Sequence, residues 1–92
     1  MEFEWNPEKA KSNLRKHRVS FDEAATAFND ILSFTFDDEA HSDVERRYVP
    51  LGMSHQGRIL VVAHTMRGEK VRIISARKAT SRERKWYEEE NK

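Results

Sequence analysis

The spacing of hydrophobic and polar residues predicts a helix near the start of the chain. Asn6-Pro7 is typical of an N-cap followed by proline in the first helical turn. The predicted helix covers residues 8–17, and Ala10, Leu14 and His17 share one of its faces because they are four and three residues apart. We expect this face to pack on the rest of the protein.

A second helix is predicted directly after the first. Ser20 has the position of an N-cap, and Glu23 three residues later completes a capping-box pattern. The helix ends near Asn29-Asp30. Its apolar stripe consists of Phe21, Ala24, Ala25 and Phe28.

Alternating apolar and polar residues predict several strands and a final helix. The predicted strands cover residues 3–5, 31–36, 46–54, 58–66 and 70–78. Gln56-Gly57 and Arg67-Gly68 suit tight hairpins, so the last three strands form a meander. Thr80 or Ser81 caps a last helix that runs to about Glu90. The predicted fold is α+β: an antiparallel sheet, made of this meander plus one or two further strands, with two N-terminal helices and a C-terminal helix.

Two-residue turns at 56–57 and 67–68 would assign side chains to the two faces of the sheet. The predicted core face holds Val49, Leu51, Met53, Leu60, Val62, His64, Met66, Val71 and Ile73. The opposite, cationic face holds Arg46, Tyr48, Pro50, Gly52, Ala63, Thr65, Lys70 and Arg72. A shift of one residue or a bulge would exchange these memberships.

Length and composition narrow the class of protein. A chain of 92 residues forms one domain, here residues 1–92, and is too short for an enzyme with its own cofactor domain. It has no cysteine, so disulfides and thiolate metal sites are excluded, and the four histidines lack metal-ligand spacing. The longest apolar run, residues 59–63, is far shorter than a membrane helix. No signal peptide is recognisable, so we expect a cytoplasmic protein. From the length and the lack of metal-ligand spacing, we expect neither a cofactor nor a metal.

The net charge of +1 conceals a strong segregation of charge along the chain. Residues 29–45 contain six acids and no lysine or arginine, whereas residues 67–85 contain eight basic residues and two acids. Such clustering favours a site for a polyanion, because lysine and arginine supply most contacts to phosphate. The alternative is a set of solvated faces without a ligand.

The cationic face also suggests a chemistry. Metal-free cleavage of RNA needs a base for the 2′-hydroxyl, cations for the crowded phosphorane and an acid for the leaving 5′ oxygen. Arg46, Tyr48, Lys70 and Arg72 could share these tasks on one sheet surface. The alternative is an ordinary exposed sheet face edged with charge. His64 is expected to be a core histidine, and both tryptophans packing anchors.

Several stretches, read in order, resemble the BrnT family of bacterial type II toxins. They are residues 3–9, 13–17, 19–24, 41–43, 52–54 and 72–80, the last continuing through Arg82-Glu83-Arg84 to Tyr87. The most specific is Arg72-Ile73-Ile74-Ser75-Ala76-Arg77. Asn6 stands where the family usually has aspartate. Arg18 stands where glycine is usual, which disfavours a left-handed helix end there.

The resemblance implies a RelE-like ribonuclease toxin that cuts RNA without a metal and inhibits translation. It also implies neutralisation by a BrnA antitoxin with a ribbon-helix-helix DNA-binding part, in a complex that represses its own operon. The family's motif arginines correspond to Arg47, Arg72, Arg77 and Arg82, with Tyr87 near the end. The face assignment puts Arg47 and Arg77 on the core side.

Combining both lines of argument, we predict two sets of functional residues. The predicted catalytic residues are Arg47, Tyr48, Arg72, Arg77 and Arg82. The predicted RNA-binding residues are Arg46, Lys70, Lys78 and Tyr87. The partners expected are RNA and the antitoxin, with operator DNA reached only through the antitoxin complex. The alternative function is a catalytically inactive co-repressor module that binds the antitoxin.

Overall fold

The computed structural model describes residues 1–30 and 51–90. Its elements are β1 (Glu2–Glu4), α1 (Pro7–His17), α2 (Phe21–Thr26) with a following 3₁₀ turn (Ala27–Asn29), β2 (Leu51–Met53), β3 (Ile59–Arg67), β4 (Lys70–Lys78) and α3 (Ser81–Glu90). The order of these elements agrees with the prediction. The predicted strand over 31–36, the acidic segment and the start of the predicted strand over 46–54 lie outside the described residues.

The four described strands form one mixed sheet in the order β1-β4-β3-β2. β3 pairs antiparallel with both β2 and β4, as the meander predicted. β1 instead pairs parallel with β4, with Phe3 opposite Val71. The prediction of an antiparallel sheet is therefore wrong for β1. The chain between β1 and β4 passes through α1, α2, β2 and β3, and this long connection permits the pairing, because parallel neighbours need a crossover rather than a tight turn.

The connection between β2 and β3 has three residues instead of the predicted two. The amide of Ser54 donates to the carbonyl of Arg58 over 2.8 Å, and Gly57 has a φ of 79°, which suits glycine. The extra residue shifts the register, so that Leu51 pairs with Val61 and Met53 with Ile59. Leu51 and Met53 consequently face away from α1 and α2, opposite to the prediction, and Gly52 changes faces with them.

The second hairpin contains a β-bulge. Its turn is Gly68-Glu69, one position later than predicted, which leaves the face assignment near the turn unchanged. Further along, Ala63 pairs with Ser75 and His64 with Ile73, so Ile74 is an extra residue on β4. Beyond it, Ala76 points to the side of α1 and α2, and Arg77 points to the side of α3. The predicted core-side position of Arg77 is therefore wrong.

The sheet carries a hydrophobic cluster on each face. On the first face, side chains of α1, α2 and the segment between them cover Leu60, Val62, Ile73 and Ala76. On the second face, the cluster is Leu51, Ile59, Val61, Ala79 and Tyr87, with Trp86 packed against it. The second face is thus partly covered by α3 rather than being a bare cationic surface. Met66, predicted for the core, is 48% exposed.

The helix ends follow the predicted capping residues with one exception. Asn6 accepts hydrogen bonds from the amides of Glu8 and Lys9, and Ser20 accepts one from the amide of Glu23. The Glu23 carboxylate, however, binds Arg58 rather than returning to Ser20. Arg18 nevertheless ends α1 in the left-handed region with a φ of 59°, the conformation that an arginine was expected to disfavour there.

The buried side chain that fastens α1 to the sheet is Asn13, which the predicted apolar face did not include. Its Nδ2 donates to the carbonyls of Val19 and Ala76 over 2.9 and 2.8 Å, and its Oδ1 accepts from the amide of Ala76 over 3.0 Å. The amide side chain therefore pairs with the free edge of β4 as a strand backbone would. Leu14, expected on the packed face, is 49% exposed.

We expect Asn13→Ala to lower the free energy of unfolding by about 3 kcal/mol, because it leaves buried backbone groups of Ala76 and Val19 unpaired. Urea denaturation measures the change. Lys16→Ala, on the exposed side of the same helix, is the control and should shift stability by less than about 0.5 kcal/mol. Equal effects of the two substitutions would contradict the strand-like role of Asn13.

Candidate functional site

Arg72 and Arg77, the predicted catalytic residues of β4, lie on the same face of the sheet but not at one point. Arg72 and Arg77 both lie on the side of α3. They are five residues apart and would face opposite sides of a regular strand, but the extra residue Ile74 reverses the alternation between them. Their Cα atoms are five residues apart on the strand, which corresponds to roughly 16 Å. The two arginines therefore mark opposite ends of β4.

Arg72 is held at one end by a carboxylate of the neighbouring strand. Its Nη1 donates to Glu4 Oε2 over 2.6 Å, and Glu4 is its register partner on β1. The Arg72 and Glu4 side chains are 29% and 30% exposed, so solvent reaches both. Lys70 lies two residues away and is exposed. The parallel pairing of β1, which the sequence did not predict, places Glu4 here.

Arg77 is held at the other end by the first turn of α3. Its Nη1 and Nη2 donate to the two carboxylate oxygens of Glu83 over 2.8 and 3.0 Å. Glu83 also accepts from the amide of Thr80 over 2.8 Å, and Thr80 Oγ1 accepts from the amide of Glu83. One carboxylate thus completes the capping box of α3 and orients Arg77. The Arg77 guanidinium, together with these hydrogen bonds, lowers the pKa of Glu83 to about 2.

Three further predicted cations lie in the described part of the chain. Arg82 is exposed in the first turn of α3, beside Glu83, and makes no ion pair with another described residue. Lys78, at the end of β4, and Lys70, at its start, are also exposed. Arg46, Arg47 and Tyr48 lie outside the described residues, so their predicted roles stay predictions.

Tyr87 has a clear structural position. Its side chain extends from α3 into the hydrophobic cluster on the second face of the sheet, where it is 5% exposed, and its hydroxyl donates to Asp30. Asp30 Oδ2 also accepts a hydrogen bond from the amide of Met53, over 2.8 Å. Burial and the Asp30 carboxylate raise the pKa of Tyr87 to about 12. Tyr87 therefore connects α3 to β2 through Asp30, and its predicted contact with RNA stays a prediction.

A buried ionic cluster near the β2–β3 loop was missed by the sequence interpretation. Glu23 is 3% exposed, and its carboxylate accepts from Arg58 Nε over 2.8 Å and from Ser54 Oγ over 2.7 Å. Arg58 Nη2 reaches the other carboxylate oxygen and also the carbonyl of Arg18. The Arg58 hydrogen bonds outweigh burial and lower the pKa of Glu23. The sequence interpretation assigned Glu23 only to the capping of α2, which gave no signal of its tertiary partner Arg58.

His64 is a core residue, as predicted. It is 6% exposed, its ring meets Phe28 edge-on with centroids 4.7 Å apart, and burial lowers its pKa. Across residues 1–30 and 51–90, no cluster of three or more potential metal ligands is present. Within the same residues, no helix is both long and apolar enough to cross a membrane.

These features define a small α+β domain with helices on both faces of a mixed sheet and exposed cations around the β4–α3 junction. Residues 5–83 match the family model described as "Ribonuclease toxin, BrnT, of type II toxin-antitoxin system". The chain therefore belongs to the BrnT family, as the sequence motifs predicted.

A solved structure supports the fold. The crystal structure of the Brucella abortus ribonuclease toxin, BrnT, matches with a TM-score of 0.68 and 21% sequence identity. The match covers 88% of this chain and 99% of that chain. A comparison with curated protein sequences gives no match. At this identity, the crystal structure shows a common fold.

The depressed pKa of Glu83 predicts a specific acid dependence of stability. Because the carboxyl has a lower pKa in the folded protein than its usual 4.5, its contribution is complete above pH 4.5 and is lost as the pH falls towards 2. We expect thermal unfolding midpoints of the unmodified protein and of Glu83→Gln to differ at pH 6 and to converge at pH 2–3. A constant difference at every pH would contradict this role for the carboxylate.

Proposed function

We propose that the chain is a metal-independent endoribonuclease toxin that cleaves RNA and thereby inhibits translation. Membership of a family of ribonuclease toxins supports the reaction class. The observation that carries the proposal is the group of exposed cations around the β4–α3 junction, where Arg82 and Lys78 flank the Arg77–Glu83 pair. RNA phosphates supply the opposite charge.

In the reaction, the 2′-hydroxyl oxygen attacks the adjacent phosphorus and the 5′ oxygen leaves, which forms a 2′,3′-cyclic phosphate. Arg82 is the cation that we assign to the phosphorane, because it corresponds to a motif arginine of the family, is exposed and makes no ion pair with another described residue. Arg77 adds charge while Glu83 fixes its orientation. Arg72 and Lys70, at the far end of β4, bind a different phosphate of the same strand.

The pKa values restrict which groups can move protons. Glu83, with a pKa of about 2, is a weak base, and Tyr87, with a pKa of about 12 and a bond to Asp30, is poorly suited to neutral pH. Neither is proposed as general base. Tyr48 and Arg47 remain the proposed catalytic partners of Arg82, with Arg46 as an RNA contact.

A second candidate function has one observation in its favour. Arg72 and Arg77 are each already paired with a carboxylate, at 2.6 and 2.8 Å. Such pairing reduces the charge available to a phosphate. The pairing of both arginines with carboxylates is therefore compatible with a catalytically inactive module that binds the antitoxin and acts as a co-repressor.

Cleavage in EDTA separates the two candidates. We expect the purified protein to cleave a labelled RNA in EDTA, and Arg82→Ala to slow cleavage about 100-fold, as loss of one transition-state donor does. Arg72→Glu should also slow cleavage. Arg15→Ala, on the exposed end of α1, is the matched charge control and should leave the rate unchanged. If the unmodified protein cuts no faster than Arg72→Glu, the co-repressor function is favoured.

The proposed partner is a BrnA-type antitoxin with a ribbon-helix-helix DNA-binding part, through which the complex reaches operator DNA. The type II family implies a protein antitoxin. We expect expression of the chain to arrest growth, and co-expression of the antitoxin to restore it, with Arg82→Ala as a non-arresting control. Continued arrest in cells where both proteins co-purify would contradict neutralisation.

A further inference from the structure

An open groove of about 460 Å³ lies beside the proposed cleavage site. It is bounded by the β2–β3 loop, the end of β4 and one side of α3. Its volume falls within the roughly 300–1,000 Å³ of typical small-ligand sites. The side chains that matter for its chemistry are those of Met53, Arg58, Ile59, Lys78, Arg84 and Glu88.

The charged lining favours an anion. Lys78 and Arg84 are exposed, and neither makes an ion pair with another described residue. Arg58 is already bound to Glu23, so it forms a fixed wall of the groove rather than a free ligand. Glu88 is the single acid among the lining residues, against three cations. An anion in the groove therefore meets two available cations.

The groove also has an apolar part. Met53 is 41% exposed, and Ile59, its register partner, is 8% exposed and forms the floor beneath it. Met53 points here because the three-residue loop after β2 turns it away from α1 and α2. An exposed, adaptable thioether next to two free cations suits a planar base attached to a phosphate.

The groove adjoins the proposed catalytic residues through the backbone. Lys78 directly follows Arg77 on β4, and Arg84 directly follows Glu83 on α3. The groove and the Arg77–Glu83 pair therefore share the end of β4 and the first turns of α3.

We propose that this groove is a subsite for one nucleotide of single-stranded RNA flanking the cleaved bond. Its phosphate binds Lys78 and Arg84, and its base packs on Met53 and Ile59. The inference rests on the proposed ribonuclease function and assigns new roles to Arg84 and Met53.

Binding of a 2′-O-methyl oligoribonucleotide, which lacks the attacking hydroxyl, tests the subsite apart from cleavage. Fluorescence anisotropy over a range of salt concentrations measures affinity. We expect Lys78→Ala/Arg84→Ala to weaken binding about tenfold and to reduce the slope of log K against log salt by about 0.7, since the two side chains share one phosphate and each neutralised phosphate of a single strand contributes about 0.7. Met53→Ser should weaken binding several-fold with no change of slope.

The control is Arg15→Ala/Lys16→Ala, which removes two charges from α1 on the opposite side of the sheet and should have little effect. If this control weakens binding as much as Lys78→Ala/Arg84→Ala, the subsite is refuted. If Met53→Ser binds as well as the unmodified protein, the base is not packed in the groove and the proposal is also refuted. Subsite binding without cleavage of ordinary RNA would refute the proposed function alone.

Discussion

The single extra residue Ile74 on β4 decides which face of the sheet each side chain beyond it occupies. Before the bulge, Ile73 points to α1 and α2, and after it Ala76 does the same. The odd and even positions of the strand have exchanged faces in between. Because of this exchange, Arg77 lies on the side of α3, and its charged side chain is not buried among Val62 and Leu60.

The three-residue loop before β3 has a similar effect on β2, where it turns Leu51 and Met53 towards α3. Together these two irregularities give the sheet an apolar cluster on each face and bring cations beside the second cluster.

Carboxylates, rather than the arginines alone, determine how the charge is presented. Glu4 and Glu83 each hold one arginine of β4, at opposite ends of the strand. Glu83 additionally caps α3, so the orientation of Arg77 and the start of the helix are coupled. Arg82, Lys78 and Arg84 are exposed cations close to this pair along β4 and α3. An RNA strand would meet fixed charges at the pair and adaptable ones around it, which suits positioning of the strand before the transition state is reached.

Two buried polar side chains hold the helices to the sheet. Asn13 extends the hydrogen bonding of β4 where β1 has ended, and Glu23 ties α2 to the β2–β3 loop through Arg58 and Ser54. Both lie in stretches that carry the family resemblance, and local spacing gave no reason to single out either as a tertiary contact. A polar residue on a helix is assigned to solvent or to capping unless its partner is known, and these partners are 63 and 35 residues away.

Local sequence determined the elements of this protein because their signals act over a few residues. Asn6, Ser20 and Thr80 mark helix starts through side-chain hydrogen bonds to nearby amides. The predicted and observed bounds of β4 are both residues 70–78. The motifs around Arg72 and Arg77 indicated the family. The tertiary structure alone decided the parallel pairing of β1, the register of the hairpins and the partners of the arginines. Register depends on loop length and on a bulge, and an error of one residue reverses every side chain of a strand. For that reason the residues of the candidate site were chosen largely from the motifs, while their arrangement followed only from the fold.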